Sequence, residues 1–221
     1  PVAHPPNRFH SSAVDYECGE APNAELTVLI DSTRNILAKN TSPDVGFDFS
    51  VNPYRGCLHG CAYCYARPSH EYLGLGAGTD FERTIVIKPN AADLLREAFE
   101  KKSWHGDAVV FSGVTDCYQP LEAEHRLTRQ CLEVCLDYKN PVGIITKAPL
   151  VERDIDLLVE LNKVTRVSVT ISIPFWNKEI ARAIEPYVAS PERRIHTIEK
   201  LASAGIRVGV SAAPLIPGLA E

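Results

Sequence analysis

The chain has 221 residues, 45% of them hydrophobic, enough for one sizeable α/β domain with its own core. No apolar run approaches the roughly 20 residues needed to span a bilayer, and "PVAHPPNRFHSS" lacks the charged-then-apolar pattern of a secretory leader. A formal net charge of −5 excludes a protein that coats nucleic acid through overall basicity, though not one with a local basic cleft.

Residues 1–44 are polar and proline-bearing, with one apolar run, "ELTVLI". They read as an irregular N-terminal arm ahead of a single domain over 45–221. "GFDFSVN" is strand-like and leads directly into a cysteine-bearing loop, and "RTIVIKP" is a second, peripheral β-type run. "AADLLREAFEKK" has helical periodicity behind Asn90, a residue suited to an N-cap.

The rhythm then becomes regular. "DAVVFSG" is a buried-type strand, followed by the helix "LEAEHRLTRQCLEVCLDY" with a stripe of Leu127, Cys131 and Cys135 that reads as core. "VGIITK" is the next strand, and "ERDIDLLVELN" a helix with Ile155, Leu158 and Val159 on one face. "RVSVTISI" is a strand, "PERRIHTIEKLASAG" a helix ending at Gly205, and "IRVGVSAAP" the last strand. Strands separated by helices of this length imply right-handed crossovers and a parallel sheet. Five such strands with polar C-terminal ends suggest a partial parallel (β/α) barrel. The ending "PLIPGLAE", just after a strand, reads as truncation before a further helix and strand.

Seven cysteines is an odd number, spaced unlike a disulfide scaffold, so a reducing cytoplasm with metal-binding thiols is the expected setting. Three of them, Cys57, Cys61 and Cys64, fall within eight residues in "NPYRGCLHGCAYCYA". A tetrahedral zinc site would need a fourth ligand, for which His59 and His70 are near enough in sequence. An iron–sulfur cube takes one cysteine per iron, so three thiolates on one loop leave one iron open to a ligand. The loop follows a strand, which places it at the C-terminal mouth of a parallel barrel, where active sites sit.

"CLHGCAYCY" matches the C-x3-C-x2-C signature of the radical S-adenosylmethionine enzymes, with an aromatic residue just before the last cysteine. More narrowly, "NPYRGCLHGCAYCYARPSHEYLG", "TDCYQPLE" and "PVGIITK" resemble a bacterial subgroup related to spore photoproduct lyase, the DNA repair photolyase-like proteins. The resemblance implies a partial barrel of the radical SAM type and a [4Fe–4S] cluster on Cys57, Cys61 and Cys64. It also implies S-adenosylmethionine chelated to the fourth iron and a 5′-deoxyadenosyl radical that abstracts a substrate hydrogen. An electron donor such as flavodoxin or ferredoxin would reduce the cluster.

The same resemblance suggests where the cofactor lies. Thr115 and Asp116, with Ser112 beside them, would accept from its ammonium, and Lys147 would meet its carboxylate. Ser168, Thr170 and Ser172 alternate onto one strand face, and Thr170 and Ser172 would suit the ribose. Tyr63 would lie near the adenine and Tyr65 near the cluster.

Spore photoproduct lyase returns a hydrogen atom from a cysteine near this strand end, but the best-aligned position here is Gly113. Cys117 is then the candidate catalytic donor, and thymine-dimer reversal is not expected. Arg55, Arg67, Arg83 and Lys88 would form a basic rim binding DNA weakly, unless they pair with Glu71, Asp80 and Glu82.

Overall fold

Small polar residues alternating with apolar ones along "RVSVTISI" give one strand two unlike faces, and the same contrast runs across the sheet. The computed structural model describes residues 25–219. In chain order they form β1 (Thr27–Ile30), β2 (Leu37–Lys39), β3 (Phe49–Val51) and β4 (Tyr54–Arg55). A 3-10 turn over Arg67–Leu73 follows, then α1 (Thr79–Arg83), β5 (Thr84–Ile87), α2 (Ala91–Phe99) and β6 (Val109–Phe111). Next come α3 (Glu122–His125), α4 (Leu127–Asp137), β7 (Val142–Thr146), a 3-10 turn over Pro149–Asp154 and α5 (Ile155–Val164). The chain continues with β8 (Val167–Ser172), α6 (Lys178–Ile184), α7 (Pro191–Ser203) and β9 (Arg207–Ser211).

The main sheet has the order β2-β3-β6-β7-β8-β9. Its β3, β6, β7, β8 and β9 are the five expected parallel strands, and β2 joins antiparallel at one edge. Among the described residues the sheet is open. Val51, Val109, Phe111, Val142, Ile144, Val167, Val169 and Ile171 project to one side, into a core completed by α2, α4 and α5. The opposite side carries Ser50, Val110, Gly143 and Ser168 in register, then Ile145, Thr170 and Gly209. Most of these residues are small or polar, in contrast to the core face.

Several local expectations are corrected. The segment read as an irregular arm contributes β1, which pairs parallel with β5 from Thr27↔Thr84 to Ile30↔Ile87, and β2. With β4 on its other edge, β5 centres a separate three-stranded sheet. The long helix expected over "LEAEHRLTRQCLEVCLDY" is broken at Arg126, whose φ of +52° is left-handed. The cause is Glu122, whose carboxylate turns back to accept the N–H groups of Thr128 (2.9 Å) and Arg129 (3.2 Å) and so caps α4. Cys131 and Cys135 are fully buried, as the stripe predicts.

Asn90 stands at the start of α2 but does not cap it with its side chain, which donates instead to the Thr33 carbonyl at 3.3 Å. The buried face of α5 is Leu157, Leu158 and Leu161, with Ile155 and Val159 flanking it. No helix among the described residues is long and apolar enough to cross a membrane. Cys18 and the first part of the arm lie outside the described residues.

Candidate active site

The cysteine loop begins where Gly56 takes a φ of +78°, with His70 Cε1 and the Phe81 carbonyl where a Cβ would stand. That turn lets Cys57 N–H reach the Phe81 carbonyl at 2.9 Å. Arg67 fixes the middle of the loop from beneath. Its Nε and Nη2 donate to the Cys61 carbonyl at 3.0 and 2.9 Å, Nη1 reaches the carbonyls of Ala77 and Gly78, and the guanidinium pairs with buried Glu82. On the outer side, Ala62 N–H donates to the Ile184 carbonyl at 2.9 Å.

Cys57 and Cys61 are buried and Cys64 is half-buried, all as free thiols. Burial pushes the Cys61 thiol up against the pull of Lys147, and burial likewise raises Cys64. Cys57 goes the other way. Burial would raise it, but the His59 imidazole beside it holds it below the usual thiol range.

His59 lies between Cys57 and Asp116, with Nδ1 3.3 Å from Asp116 Oδ2. Burial alone would strip its proton, and the two neighbouring anions instead push it up to about 10.

The second strand end meets this loop directly. Thr115 Oγ1 donates to the Gly56 carbonyl at 2.6 Å, and Gln119 Nε2 donates to the same carbonyl at 3.1 Å. Gln119 Oε1 accepts the Leu58 N–H at 3.1 Å. Asp116 Oδ1 accepts from Thr146 Oγ1 (2.7 Å) and Tyr118 N–H (2.9 Å), and Oδ2 from Lys147 N–H (2.8 Å). Burial would raise Asp116, but His59 and these donors hold it down at about 2. Thr115 and Asp116, expected to accept from a cofactor ammonium, are therefore engaged within the protein and brace the cysteine loop.

Ser112 has a φ of +82°, and its Oγ accepts the Cys117 N–H at 3.1 Å. Cys117 was expected to face the mouth, and here the structure corrects the sequence. Its side chain is fully buried in the main core with Phe111, Tyr118 and Cys131. The anchored Asp116 before it and the Thr128 hydroxyl bonding its carbonyl at 2.6 Å hold it there. A thiol with no exposed surface in that core cannot meet a substrate.

Lys147 follows β7 and lies close to the cysteine loop, its Nζ 5.6 Å from the centroid of the Tyr63 ring. Among the described residues that ammonium has no hydrogen-bond or ion-pair partner. Tyr63 is held by a hydroxyl bond to Glu185, which pairs in turn with buried Arg194. Arg194 Nη1 donates to the Ser172 carbonyl at 2.9 Å, so one chain of contacts ties the cysteine loop to the end of β8. Thr170 and Ser172 lie on the small-residue face there. Tyr65 is 79% exposed, and its hydroxyl donates to the Gly113 carbonyl.

The expected basic rim does not form. Arg55 pairs with Asp31 at 3.2 Å, Arg67 is buried with Glu82, and Arg83 stacks 4.9 Å over the Tyr187 ring. Lys88 is buried, donates to the Asn52 carbonyl at 2.8 Å, and is pushed down to about 8 by burial.

The two histidines a zinc site would recruit are engaged elsewhere: His59 with Asp116, and His70 Nε2 with the Thr84 carbonyl at 2.9 Å. Among the described residues no three His, Cys, Asp or Glu side chains converge on a single ion. Sequence reading missed Gln119, Glu185 and Arg194. Gln119 lies within "TDCYQPLE", one of the segments that carry the family resemblance. Nothing in the local sequence marks Glu185, whose partner Tyr63 is far away along the chain, or Arg194, which pairs with Glu185.

Comparison with known proteins bears on this arrangement. The Radical SAM superfamily model matches residues 51–221. An uncharacterized protein of Mycobacterium tuberculosis is 36% identical over 175 residues, covering 79% of this chain and 52% of its own. One from Methanocaldococcus jannaschii is 31% identical over 176 residues, covering 80% and 63%. The chain thus spans about half the length of the mycobacterial relative. Among solved structures, spore photoproduct lyase complexed with dinucleoside spore photoproduct matches with a TM-score of 0.59 at 17% identity, over 86% of this chain and 52% of that one. At that identity the likeness is one of fold.

Proposed function

The chain belongs to the Radical SAM superfamily, and we propose that it holds a [4Fe–4S] cluster on Cys57, Cys61 and Cys64 and binds S-adenosylmethionine beside it. The observation that carries this reading is the pairing of three free thiols on one braced loop with the unpartnered ammonium of Lys147 at the next strand end but one. Thiolates suit iron, and a free cation suits the cofactor carboxylate. When bound, the cluster supplies one electron for reductive cleavage of S-adenosylmethionine to methionine and a 5′-deoxyadenosyl radical.

The chain's own residues position and shield. Lys147 takes the cofactor carboxylate, with Tyr63 beneath it. Thr170 and Ser172 face the ribose, and Tyr65 stands at the open side of the cluster. Ser112, Thr115 and Asp116 keep the loop in place. The six described cysteines are all free, which supports a reducing cytoplasm, where flavodoxin or ferredoxin is the class of electron donor available.

For the substrate we propose a nucleic-acid lesion or modified base. The support is the fold shared with spore photoproduct lyase and the exposure of Tyr65 (79%), at the end of the cysteine loop, and Trp176 (66%), shortly after β8, as platforms for a base. A peptide or small metabolite is the second reading, favoured by the loss of the basic rim.

Anaerobic reconstitution tests the chemistry. About four iron and four sulfide per chain, with reductant-dependent 5′-deoxyadenosine, are expected. Bound zinc without turnover would end the reading. Turnover with irradiated spore-type DNA, analysed for repaired thymine, separates the substrates. Repair at lyase-like rates would overturn the expectation that dimer reversal is lost.

A further inference from the structure

We propose that Glu185 and Arg194 are positioning residues that act through Tyr63 to aim the Lys147 ammonium at the cofactor carboxylate. The inference rests on the reading of Lys147 as the group that meets that carboxylate. It starts from a mismatch. A lysine head is a compact charge on a flexible four-carbon stem, yet among the described residues no carboxylate or carbonyl holds this one. What it has is the Tyr63 ring, with Nζ 5.6 Å from the centroid. That lies inside the range of about 6 Å over which an aromatic face attracts a cation. Such a contact holds the charge without occupying its N–H groups, so its donors stay free for a ligand.

A ring can aim a cation only if the ring is itself held. Phe175, shortly after β8, meets Tyr63 edge-on with the centroids 6.0 Å apart. The Tyr63 hydroxyl donates to Glu185, Glu185 pairs with Arg194, and both of those charged side chains are buried. Arg194 is fixed in turn, donating from Nε to the Ala189 carbonyl at 2.7 Å and from Nη1 to the Ser172 carbonyl at 2.9 Å. Neither charge can leave without stranding the other inside the protein.

An ion pair so buried is a poor device for stability alone, since apolar side chains of the same volume often serve as well. What stands at its free end explains the arrangement: the phenol that carries Lys147. The pair thus relays the position of the end of β8, across the cysteine loop, to the lysine that follows β7.

The test is a double-mutant cycle read as S-adenosylmethionine affinity on the reconstituted full chain, with iron counted first. Tyr63→Phe keeps the ring and leaves the Glu185–Arg194 pair intact, but cuts the tether between them. It should weaken binding about 2- to 5-fold where Lys147 is present and change nothing in the Lys147→Ala background. A general structural fault, or a direct contact of the Tyr63 hydroxyl with the ligand, would weaken both backgrounds equally. That result would overturn the proposal, as would no loss in either background. Should Tyr63→Phe fail to hold iron, the full chain before reconstitution decides. With 13C at lysine Cε, the Lys147 resonance is identified by its loss in Lys147→Arg. It is expected to be shifted upfield by the Tyr63 ring and to return toward the other lysines in Tyr63→Phe. A wild-type resonance among the other lysines, or an upfield one that Tyr63→Phe leaves in place, would overturn the proposal. Failure of the wild type to bind S-adenosylmethionine, or equal binding by Lys147→Ala, is a distinct result. It removes the reading of Lys147 itself, and the proposal with it.

Discussion

The Thr115 hydroxyl donates to the Gly56 carbonyl at 2.6 Å, across 59 residues of sequence. This bond joins the loop after β6 to the first turn of the cysteine loop, where Gln119 Nε2 supplies a second donor at 3.1 Å. Thr115→Val should therefore cost about 1 kcal/mol, because Gln119 still satisfies the carbonyl. Thr115→Val combined with Gln119→Leu leaves it bare and should cost about 2–3 kcal/mol beyond the single change. Denaturant unfolding of the four members of the cycle would reveal this coupling, and simple additivity would deny it.

Two glycines with similar backbone angles should respond differently to alanine. Gly56 and Gly74 have φ of +78° and +72°, so each change carries about 1 kcal/mol of backbone strain. Around Gly74 nothing lies within 4 Å of the added methyl, whereas at Gly56 it meets His70 Cε1 at 2.8 Å and the Phe81 carbonyl at 2.9 Å. Gly56→Ala should cost about 2–3 kcal/mol more than Gly74→Ala and loosen the loop. Thermal unfolding checks the first expectation, and iron retention after reconstitution the second.

Replacing Cys57, Cys61 or Cys64 with Ala should abolish cluster uptake, since two thiolates do not anchor a cube against solvent. Cys131→Ala, in the core, should leave iron content intact at a stability cost of about 1 kcal/mol. Iron and sulfide analysis separates the two groups. Full occupancy in any of the first three would contradict the assignment.

Lys147→Ala should weaken S-adenosylmethionine binding by about 10- to 100-fold, as loss of one charge-assisted bond of about 1.5–3 kcal/mol requires. The cluster should stay intact, because among the described residues Lys147 Nζ makes no hydrogen bond or ion pair with the loop and only lies over the Tyr63 ring. Equilibrium binding to the reconstituted protein measures the effect. Unchanged affinity would return Lys147 to a structural role.

Glu152 joins the turn before α5 to α7 through Arg193, Lys200 and Thr197. Partial burial works against its charge, but these donors prevail and hold it down at about 2, below the usual 4.5. A depressed carboxylate stabilises the fold fully above its unfolded pKa, and that contribution fades as pH falls from about 4.5 toward 2. With solvent screening it amounts to about 1–2 kcal/mol. Glu152→Gln should lower stability at pH 7 and flatten its decline between pH 5 and 3, which urea midpoints across that range would register.

Much of the fold was legible because it follows from local periodicity. The alternation in "RVSVTISI" separates Val167, Val169 and Ile171 from Ser168, Thr170 and Ser172, and the structure keeps that division. The i, i+4 spacing of Leu127, Cys131 and Cys135 likewise marked a buried helix face. Where a distant group intervened, periodicity was misleading. The helix pattern runs straight through Arg126, yet the Glu122 carboxylate caps a new helix start there. "ELTVLI" carries no sign that its partner is β5, nearly sixty residues later.

The candidate site divides in the same way. Three cysteines in eight residues, a lysine closing one apolar strand and a row of hydroxyls on another are patterns of residue type and spacing, and these the chain states by itself. Which of them face a ligand is a matter of what else is near. Packing turned Cys117 into the core, Asp116 toward His59, and the four cations of the supposed rim toward Asp31, Glu82, Tyr187 and the Asn52 carbonyl. A buried polar group must find a partner wherever the fold brings one, often far away in sequence. The sequence alone therefore determined the kind of site and its loop, and only the tertiary structure decided which side chains hold that loop and which, like Lys147, are left free.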